Sequence, residues 1–289
     1  MKTLEIIIVS YNSLIWLKKT LNSLSKFYLP HSKYNILITV VDNASTDGTV
    51  SFLETEYRKI NLIKSERNLG FSAGNNLALK KSNADYIMLL NSDMEFTEKS
   101  KNIDRLIEYL ESDHNIGMIT PKLLLSNGKL DPACHRGEPS LADVFFYFAG
   151  FEKLFSKVKF FTKYHMLYKD FSTIHEVDAI TGACMLMKSE YLKKIGYFDE
   201  RFFMYSEDMD LCRRFREQKY KIIFYPDIEI IHHKYKSGLL STNKDISKNI
   251  SNHFYNSFLL YYDKYYNNKW YYKITRLFIY TFVYLKTKK

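Results

Sequence analysis

The chain has 289 residues, 46% of them hydrophobic, which suits one large or two small globular domains. Its three cysteines, Cys134, Cys184 and Cys212, lack the spacing of a disulfide framework or a zinc site, which favours a reducing compartment. The formal net charge is +10, but residues 234–289 hold eleven Lys or Arg and two Asp, a net of +9. Because the remainder is close to neutral, the composition argues against a nucleic-acid-binding domain and indicates an anionic partner for the C-terminal segment.

The first third of the chain alternates between strand and helix patterns. Residues 1–9 are too short a stretch for a signal peptide and carry Glu5, so we interpret 4–9 as the first strand. Further strands are predicted at 36–41, 60–64, 86–90 and 116–120, and helices at 15–24, 49–57 and 103–110, with another helix ending at Leu79. This alternation predicts an α/β fold with a Rossmann-like, mostly parallel central sheet flanked by helices.

The middle of the chain is less regular, and order then returns. Residues 121–175 lack a clean period and are interpreted as an insertion over the sheet edge, either a lid or an acceptor-contacting loop. Asn127–Gly128 within it is a hairpin turn signal. From Glu176 onward, strands are predicted at 185–187, 221–225 and 228–231, and helices at 189–195 and 207–218.

Residues 236–289 are predicted to form a basic, aromatic helical extension. Two apolar stripes have helical spacing: Phe254, Phe258, Tyr261 and Tyr265, then Trp270, Ile274, Leu277, Phe278, Thr281 and Leu285. The apolar run 277–285 is far shorter than the roughly 20 residues that span a bilayer. Two interpretations stay open: helices packed on the main domain, or helices bound to an anionic membrane surface.

A buried strand pattern at 86–90 ends abruptly at Asn91, Ser92 and Asp93. Ligands of open α/β sheets bind beyond the carboxyl ends of the strands, so Asp93 is placed to hold a divalent cation against a ligand phosphate. The alternative is a polar turn that caps the following helix.

Asp42 ends the second predicted strand, and Tyr11 and Asn12 end the first, so the three residues should be neighbours. A carboxylate at a strand end can accept a nucleobase N–H or bind a ribose hydroxyl. An Asx turn or a helix cap explains Asp42 equally well.

The segment 67–76 combines glycines with a helix N-terminus, which favours close approach of an anionic ligand. It lacks the Gly-Lys-Ser/Thr of a P-loop and the spacing of a dinucleotide fingerprint. Asn68, Gly70 and Asn75 are its candidate ligand-binding residues.

Acidic residues and histidines later in the chain form the remaining candidates. Glu207 and Asp208 lie in the first turn of a predicted helix, where the helix dipole stabilises carboxylates by roughly 0.3–1 kcal/mol. The functional alternative is that one carboxylate is a general base. His232 follows a strand and is either structural or a metal ligand; its neighbour His233 would point to the opposite face.

These motifs occur together in a fixed order: Ile8-Val9-Ser10-Tyr11-Asn12, the run from Val41 to Gly48, Asn68-Leu69-Gly70-Phe71, Leu90-Asn91-Ser92-Asp93, Gly182-Ala183, and Phe198-Asp199 through Glu207-Asp208-Met209-Asp210-Leu211. Over residues 4–233 the chain resembles the family 2 glycosyltransferases of GT-A fold, particularly their bacterial rhamnosyltransferase-like branch. The resemblance implies a GT-A domain at 1–235, with a nucleotide-binding half at about 1–120 and an acceptor-side half at about 121–235, followed by the helical extension.

The resemblance also implies roles for individual residues. Asp42 would bind the nucleobase, with Tyr11, Asn12, Asn68, Gly70, Asn75, Asn91 and Ser92 around the donor. Asp93 and His232 would hold Mg²⁺ or Mn²⁺ on the diphosphate, Asp208 would be the catalytic base, and Gly182 and Glu207 would lie on the acceptor side. Asn91 replaces the first carboxylate of the family's Asp-X-Asp motif, which leaves one strongly anionic metal ligand.

The implied activity is inverting transfer of a sugar from dTDP-rhamnose or a UDP-hexose to a saccharide acceptor. A lipid-linked acceptor at the cytoplasmic face of the inner membrane, in surface polysaccharide synthesis, fits the basic aromatic extension. Two rivals remain: a sugar-nucleotide nucleotidyltransferase, and a non-catalytic protein that binds a nucleotide sugar or a membrane. Ser10-Tyr11-Asn12-Ser13 stands where a nucleotidyltransferase usually has a Gly-rich basic loop, which disfavours the first rival.

Overall fold

The computed structural model describes residues 1–234, 244–274, 276, 277, 280 and 281. Its strands are β1 (Thr3–Ser10), β2 (Asn35–Asp42), β3 (Asn61–Lys64), β4 (Tyr86–Asn91), β5 (Met94–Glu95), β6 (Ile116–Leu125), β7 (His175–Val177), β8 (Cys184–Lys188) and β9 (Lys221–His232). Its helices are α1 (Leu14–Phe27), α2 (Thr49–Glu56), α3 (Gly70–Leu79), α4 (Asp104–Glu111), α5 (Leu141–Phe148), α6 (Phe151–Leu154), α7 (Ser189–Ile195), α8 (Glu207–Glu217) and α9 (Lys244–Tyr266).

The strands form one mixed sheet in the order β3-β2-β1-β4-β8-β6-β9-β5, with β7 beside β9. The first four strands are mutually parallel, and β6 and β9 are parallel to each other. The central strands β1 and β4 are almost continuously apolar and buried, as strands covered on both faces must be. Helices between the parallel strands bury their apolar faces on this sheet; Leu17, Leu21 and Leu24 of α1 are completely buried.

Strand β8 runs antiparallel to its neighbours β4 and β6. An antiparallel strand begins where its neighbour ends, so Cys184 at the start of β8 pairs with Leu90 near the end of β4. The N–H of Asn91 donates to the carbonyl of Ala183 at 3.0 Å. The segment before β8 therefore lies at the same sheet edge as the polar end of β4.

The end of β9 reaches that edge from the other side. His232 pairs with Met94 of the short strand β5, and the N–H of His233 donates to the carbonyl of Asp93 at 2.9 Å. Sheet topology thus brings residues near 93, 183 and 232 together, although they lie far apart in sequence.

Three details differ from the sequence-based prediction. Strand β6 continues through Pro121 to Leu125, so the insertion starts later than predicted, after the confirmed turn at Asn127–Gly128. The predicted strands at 221–225 and 228–231 form the single strand β9, whose register shifts around Pro226 because proline has no N–H to donate. The short strands β5 and β7 carry too few residues for a visible period.

Helix α9 packs on the main domain through its first apolar stripe. Phe258 and Tyr261 are buried, and the Tyr261 hydroxyl donates to Glu138 at 2.7 Å. In the second stripe Trp270, Ile274 and Leu277 are exposed, whereas Phe278 and Leu285 lie outside the described residues. Within the described part of the chain, no helix combines the length and apolar character that crossing a bilayer demands.

Candidate active site

A cavity of about 550 Å³ opens at the carboxyl ends of β1 and β4. Its wall also includes the segment before β8, the start of α8 and, from α9, Phe254, Tyr255 and Phe258. The predicted site residues that line it are Tyr11, Asn68, Gly70, Asn91, Ser92, Asp93, Gly182, Glu207, Asp208 and His232. The cavity therefore joins candidate donor, metal and base residues in one space.

Asp93 and His232 face each other within this cavity. Asp93 Oδ1 lies 3.4 Å from His232 Nε2, and both residues are buried. The Asn91 side-chain amide lies 3.4 Å from the same ring nitrogen. A carboxylate oxygen and an imidazole nitrogen at this separation fit two adjacent positions around one divalent cation.

Asp131 holds the His232 ring from behind. Its Oδ2 lies 2.8 Å from His232 Nδ1, while its Oδ1 lies 2.9 Å from the Lys234 ammonium. Burial alone lowers the pKa of His232. The hydrogen bonds to Asp131 and Asp93 raise this pKa by more than burial lowers it, so it lies above its ordinary value. A proton on Nδ1 that is donated to Asp131 leaves Nε2 as the nitrogen directed at Asp93.

Asp208 is paired with Arg136, a residue of the segment between β6 and α5. A guanidinium nitrogen of Arg136 lies 2.6 Å from Asp208 Oδ2 and donates also to the carbonyl of Ile180 at 2.9 Å. The N–H of Met209 donates to Asp208 Oδ1 at 2.7 Å, and the N–H of Gly182 donates to Oδ2 at 3.3 Å. Both carboxylate oxygens are thereby fixed in direction.

The backbone before α8 adopts an uncommon conformation. Tyr205 and Ser206 both have positive φ, +71° and +63°, which costs non-glycine residues free energy. This bend carries Glu207 and Asp208 to the cavity wall. Burial, reinforced by the charge of Asp208, raises the pKa of Glu207 well above its usual range.

Gly70 and Gly182 are needed where the two halves of the cavity wall touch. Gly70 has φ +78°, and a Cβ there would lie 2.3 Å from the carbonyl oxygen of Phe203. A Cβ on Gly182 would lie 2.9 Å from the Phe71 ring. Larger side chains at either position would push the N-terminus of α3 away from the α8 side.

Three predicted donor-binding residues do not line the cavity. Asn12 and Asp42 build the neighbouring turn: Asn12 Oδ1 accepts from the N–H of Thr46 at 2.7 Å, and Asp42 Oδ2 accepts from the N–H of Ser45 at 2.9 Å. Asp42 Oδ1 is buried and accepts no hydrogen bond from the described residues. Asn75 is buried in α3, where its amide donates to the carbonyl of Phe71 at 2.9 Å.

A scan against protein-family models matches residues 5–196 to "Glycosyl transferase family 2". The chain belongs to this family. A second model, "Glycosyl transferase family group 2", matches residues 145–282. The recognised family resemblance is thereby confirmed, and the chain is a glycosyltransferase.

Curated relatives of this family 2 glycosyltransferase include rhamnosyltransferases. It is 25% identical over 272 residues to N-acetylglucosaminyl-diphospho-decaprenol L-rhamnosyltransferase of Mycobacterium tuberculosis, covering 90% of this chain and 84% of the relative. It is 28% identical over 172 residues to rhamnosyltransferase WbbL of Escherichia coli K12, covering 57% of this chain and 61% of WbbL. These relatives place it in the rhamnosyltransferase-like branch.

Solved structures confirm the GT-A fold. The mannosyltransferase PcManGT from Pyrobaculum calidifontis, in complex with GDP-Man and Mn²⁺, superposes with a TM-score of 0.59 at 15% identity, covering 98% of this chain and 70% of PcManGT. Three other solved chains of similar fold are longer than this chain. The matched part covers between 40% and 66% of each of them.

Sequence patterns missed Arg136 and Asp131, which contact the candidate base and the candidate metal-binding histidine. Both lie in the stretch that lacks a period, and each partner is more than 70 residues away. For Asp131, a weak signal was present: it follows the Asn127–Gly128 turn, which returns the chain toward the sheet edge that ends in His232. For Arg136 we find no signal in the single sequence.

Proposed function

We propose that this family 2 glycosyltransferase transfers a sugar with inversion from dTDP-rhamnose or a UDP-hexose to a hydroxyl of a lipid-linked saccharide in bacterial surface polysaccharide synthesis. The observation that carries the proposal is that Asp93, His232 and Asp208, all buried, line one cavity. The name of the Mycobacterium tuberculosis relative, which specifies L-rhamnosyl transfer to N-acetylglucosaminyl-diphospho-decaprenol, supports the choice of donor and acceptor class.

The nucleotide is proposed to bind at the β1 and β2 end of the cavity. Asp42 is proposed to bind the nucleobase, because its buried Oδ1 needs a hydrogen-bond donor that the described residues do not supply. Tyr11 is partly exposed in the cavity wall and offers a ring for stacking. Asn12 shapes the turn that carries Asp42's partners, rather than contacting the donor.

Asp93 and His232 are proposed to hold Mg²⁺ or Mn²⁺ together with the donor diphosphate. The described residues contain no group of three His, Cys, Asp or Glu that could bind a metal alone. Two protein ligands nevertheless suffice when substrate phosphates and water complete the shell. The chemistry that such a cation supplies is neutralisation of charge on the leaving diphosphate.

Asp208 is proposed to be the general base. The acceptor oxygen forms a bond to the anomeric carbon as the bond to the nucleoside diphosphate breaks, and the hydroxyl proton passes to Asp208. Attack from the face opposite the leaving group inverts the configuration. Arg136 is a positioning residue: its ion pair with Asp208 and its hydrogen bond to the carbonyl of Ile180 orient the carboxylate.

The reaction is proposed to occur at the cytoplasmic face of the inner membrane. Cys134, Cys184 and Cys212 are buried and unpaired, which fits a reducing compartment. Trp270, 88% exposed, with exposed Ile274 and Leu277, supports peripheral membrane contact through the C-terminal extension.

A donor screen followed by product analysis tests this function. At a hundred times its Kd, the true donor with Mn²⁺ should stabilise the protein by about 2.7 kcal/mol. Turnover should release a nucleoside diphosphate and a product of inverted configuration. Release of pyrophosphate would instead identify a nucleotidyltransferase, and absence of both stabilisation and turnover across all donors would contradict the proposal.

A further inference from the structure

Residues 145–163, here called the aromatic lobe, project an apolar cluster from the acceptor side of the protein. Phe146 contacts the rings of Phe151, Phe160 and Phe161 at centroid distances of 5.0–5.8 Å. Phe155 stacks on Phe161 at 5.0 Å. The rings thus pack on one another rather than into the main core.

The outer surface of the aromatic lobe is apolar to an unusual degree. Leu154 is 74% exposed and Phe160 58% exposed, and Phe155 and Val158 are also exposed. Four large apolar side chains are thus exposed within seven residues of sequence, and such a concentration on the surface of a soluble protein marks a binding surface.

The charged side chains that the lobe itself exposes are all lysines. Lys153, Lys157, Lys159 and Lys163 are exposed, and the ion pairs of the described residues include none of them. Glu152 is the one acidic residue of the lobe, and it is buried and hydrogen-bonded to His165 at 2.7 Å. An apolar patch accompanied by exposed lysines complements an anionic lipid surface, whereas two copies of it would repel each other.

The aromatic lobe is coupled to the cavity. Tyr147 within it, and Tyr164 and His165 directly after it, line the cavity wall. Val144, just before the lobe, packs on Phe258 and Tyr262 of α9. A surface bound by the lobe therefore lies close to the acceptor end of the cavity.

We propose that the aromatic lobe docks on an anionic membrane surface, inserting Leu154, Phe155, Val158 and Phe160 at the headgroup boundary while its lysines contact lipid phosphates. This surface consists of residues other than those of the C-terminal extension. Membrane docking through the lobe would present the lipid-linked acceptor to the cavity; this role rests on the function proposed above.

The test is sedimentation of the full-length protein with vesicles of phosphatidylcholine, with and without phosphatidylglycerol. We expect binding to the anionic vesicles and weaker binding at high salt. Substituting Lys153→Gln, Lys157→Gln and Lys159→Gln together should weaken binding by about fivefold per lysine. The matched control, Arg58→Gln, Lys59→Gln and Lys81→Gln, removes the same charge from exposed positions elsewhere and should bind nearly as wild type.

The double substitution Leu154→Ser and Phe160→Ser tests the apolar contribution. It should reduce vesicle binding at least tenfold, because two apolar side chains no longer insert into the membrane. Ile15→Ser with Leu37→Ser removes two exposed apolar side chains elsewhere and serves as the control. Equal binding by lobe and control variants would overturn the proposal. So would a dimer that the lobe substitutions dissociate, without vesicle binding by the wild type.

Donor-induced thermal stabilisation, measured without vesicles, separates this inference from the proposed function. Lobe variants should retain the stabilisation, because the lobe residues substituted do not line the cavity. If the wild-type protein binds no donor, the transferase function alone is contradicted. If it binds no anionic vesicles, the docking surface alone is contradicted.

Discussion

Arg136 and Asp208 form a buried ion pair, with 2.6 Å between a guanidinium nitrogen and Oδ2, across 72 residues of sequence. Burial alone lowers the pKa of Arg136. The charge of Asp208 outweighs this effect and raises the pKa, so the guanidinium stays charged. The pair links the segment after β6 to the first turn of α8. The candidate base is therefore positioned by a residue outside its own helix.

Replacing Arg136 should separate stability from catalysis. Arg136→Met leaves Asp208 buried without its cation and should cost about 3–5 kcal/mol of unfolding free energy. Arg136→Lys keeps the charge but loses the second hydrogen bond, to Ile180. We expect Arg136→Lys to fold and to show reduced kcat with a nearly unchanged donor KM. An unchanged kcat with a large loss of stability would indicate a purely structural role.

Asp208→Asn preserves the shape of the base while removing its ability to accept a proton. We expect kcat to fall by about 10²–10⁴-fold, the usual contribution of general base catalysis. Donor binding, measured by thermal stabilisation, should survive because the substituted atom does not contact the nucleotide-side residues. Full turnover by this variant would assign the proton to another group.

Asp131→Asn should weaken the candidate metal site although it replaces neither candidate metal ligand. Loss of a carboxylate behind a metal-binding histidine typically costs 10–100-fold in metal affinity, so we expect about that loss in Mn²⁺ affinity by calorimetry with nucleoside diphosphate present. Asp104→Asn is the control, because Asp104 is a buried carboxylate that binds Tyr28 and Ser32 away from the cavity. Equal Mn²⁺ affinities in the two variants would remove Asp131 from this role.

Glu207→Gln should change how stability depends on pH. Burial raises the pKa of Glu207 above its ordinary value of 4.5, so above that pH the unfolded chain releases a proton that the folded protein retains. Wild-type stability therefore falls as pH rises through this range, and glutamine removes that fall. The Tm of Glu207→Gln minus that of wild type should increase with pH.

Glu200→Gln provides the opposite sign as a control. The hydrogen bonds from Asn76 and Lys80 lower the pKa of Glu200, so its stabilisation is present at neutral pH and is lost on acidification. Its Tm difference should become more negative as pH rises. Parallel curves for the two variants would contradict the assignment for Glu207.

Two truncations should distinguish packing from surface contact at the C-terminus. Ending the chain after residue 252 removes buried Phe258, Tyr261 and Tyr262, so we expect a severe loss of stability in chemical denaturation. Ending it after residue 267 removes exposed Trp270, Ile274 and Leu277 and should leave a folded domain. A cooperative, near-wild-type unfolding transition for the shorter chain would contradict the packing of α9.

The sequence predicts the sheet and the cavity edge better than it predicts the contacts within the site. Apolar runs such as 86–90 mark strands, and the sheet topology then brings their polar ends together. For Asp93 and His232 the pairing of β5 with β9 does so. Asn12 and Asp42 show the limit: the same residue types fit a turn or a ligand contact. In the structure both residues form the turn, whereas their role in ligand binding stays a prediction. Arg136 could not be predicted, because an ion pair between distant segments leaves no periodic pattern.

The backbone of Arg136 also pairs with Ala179, whose N–H donates to the Arg136 carbonyl at 2.9 Å while the Arg136 N–H donates back at 3.0 Å. This bridge fastens both ends of residues 137–178 at one point of the framework. The bridge therefore holds Arg136 at a position that does not depend on the length of the loop between the two ends. Protein engineers have at this bridge a junction at which to exchange the loop, with the cavity-lining Tyr147, Tyr164 and His165 that it carries, while the Arg136–Asp208 pair stays in place.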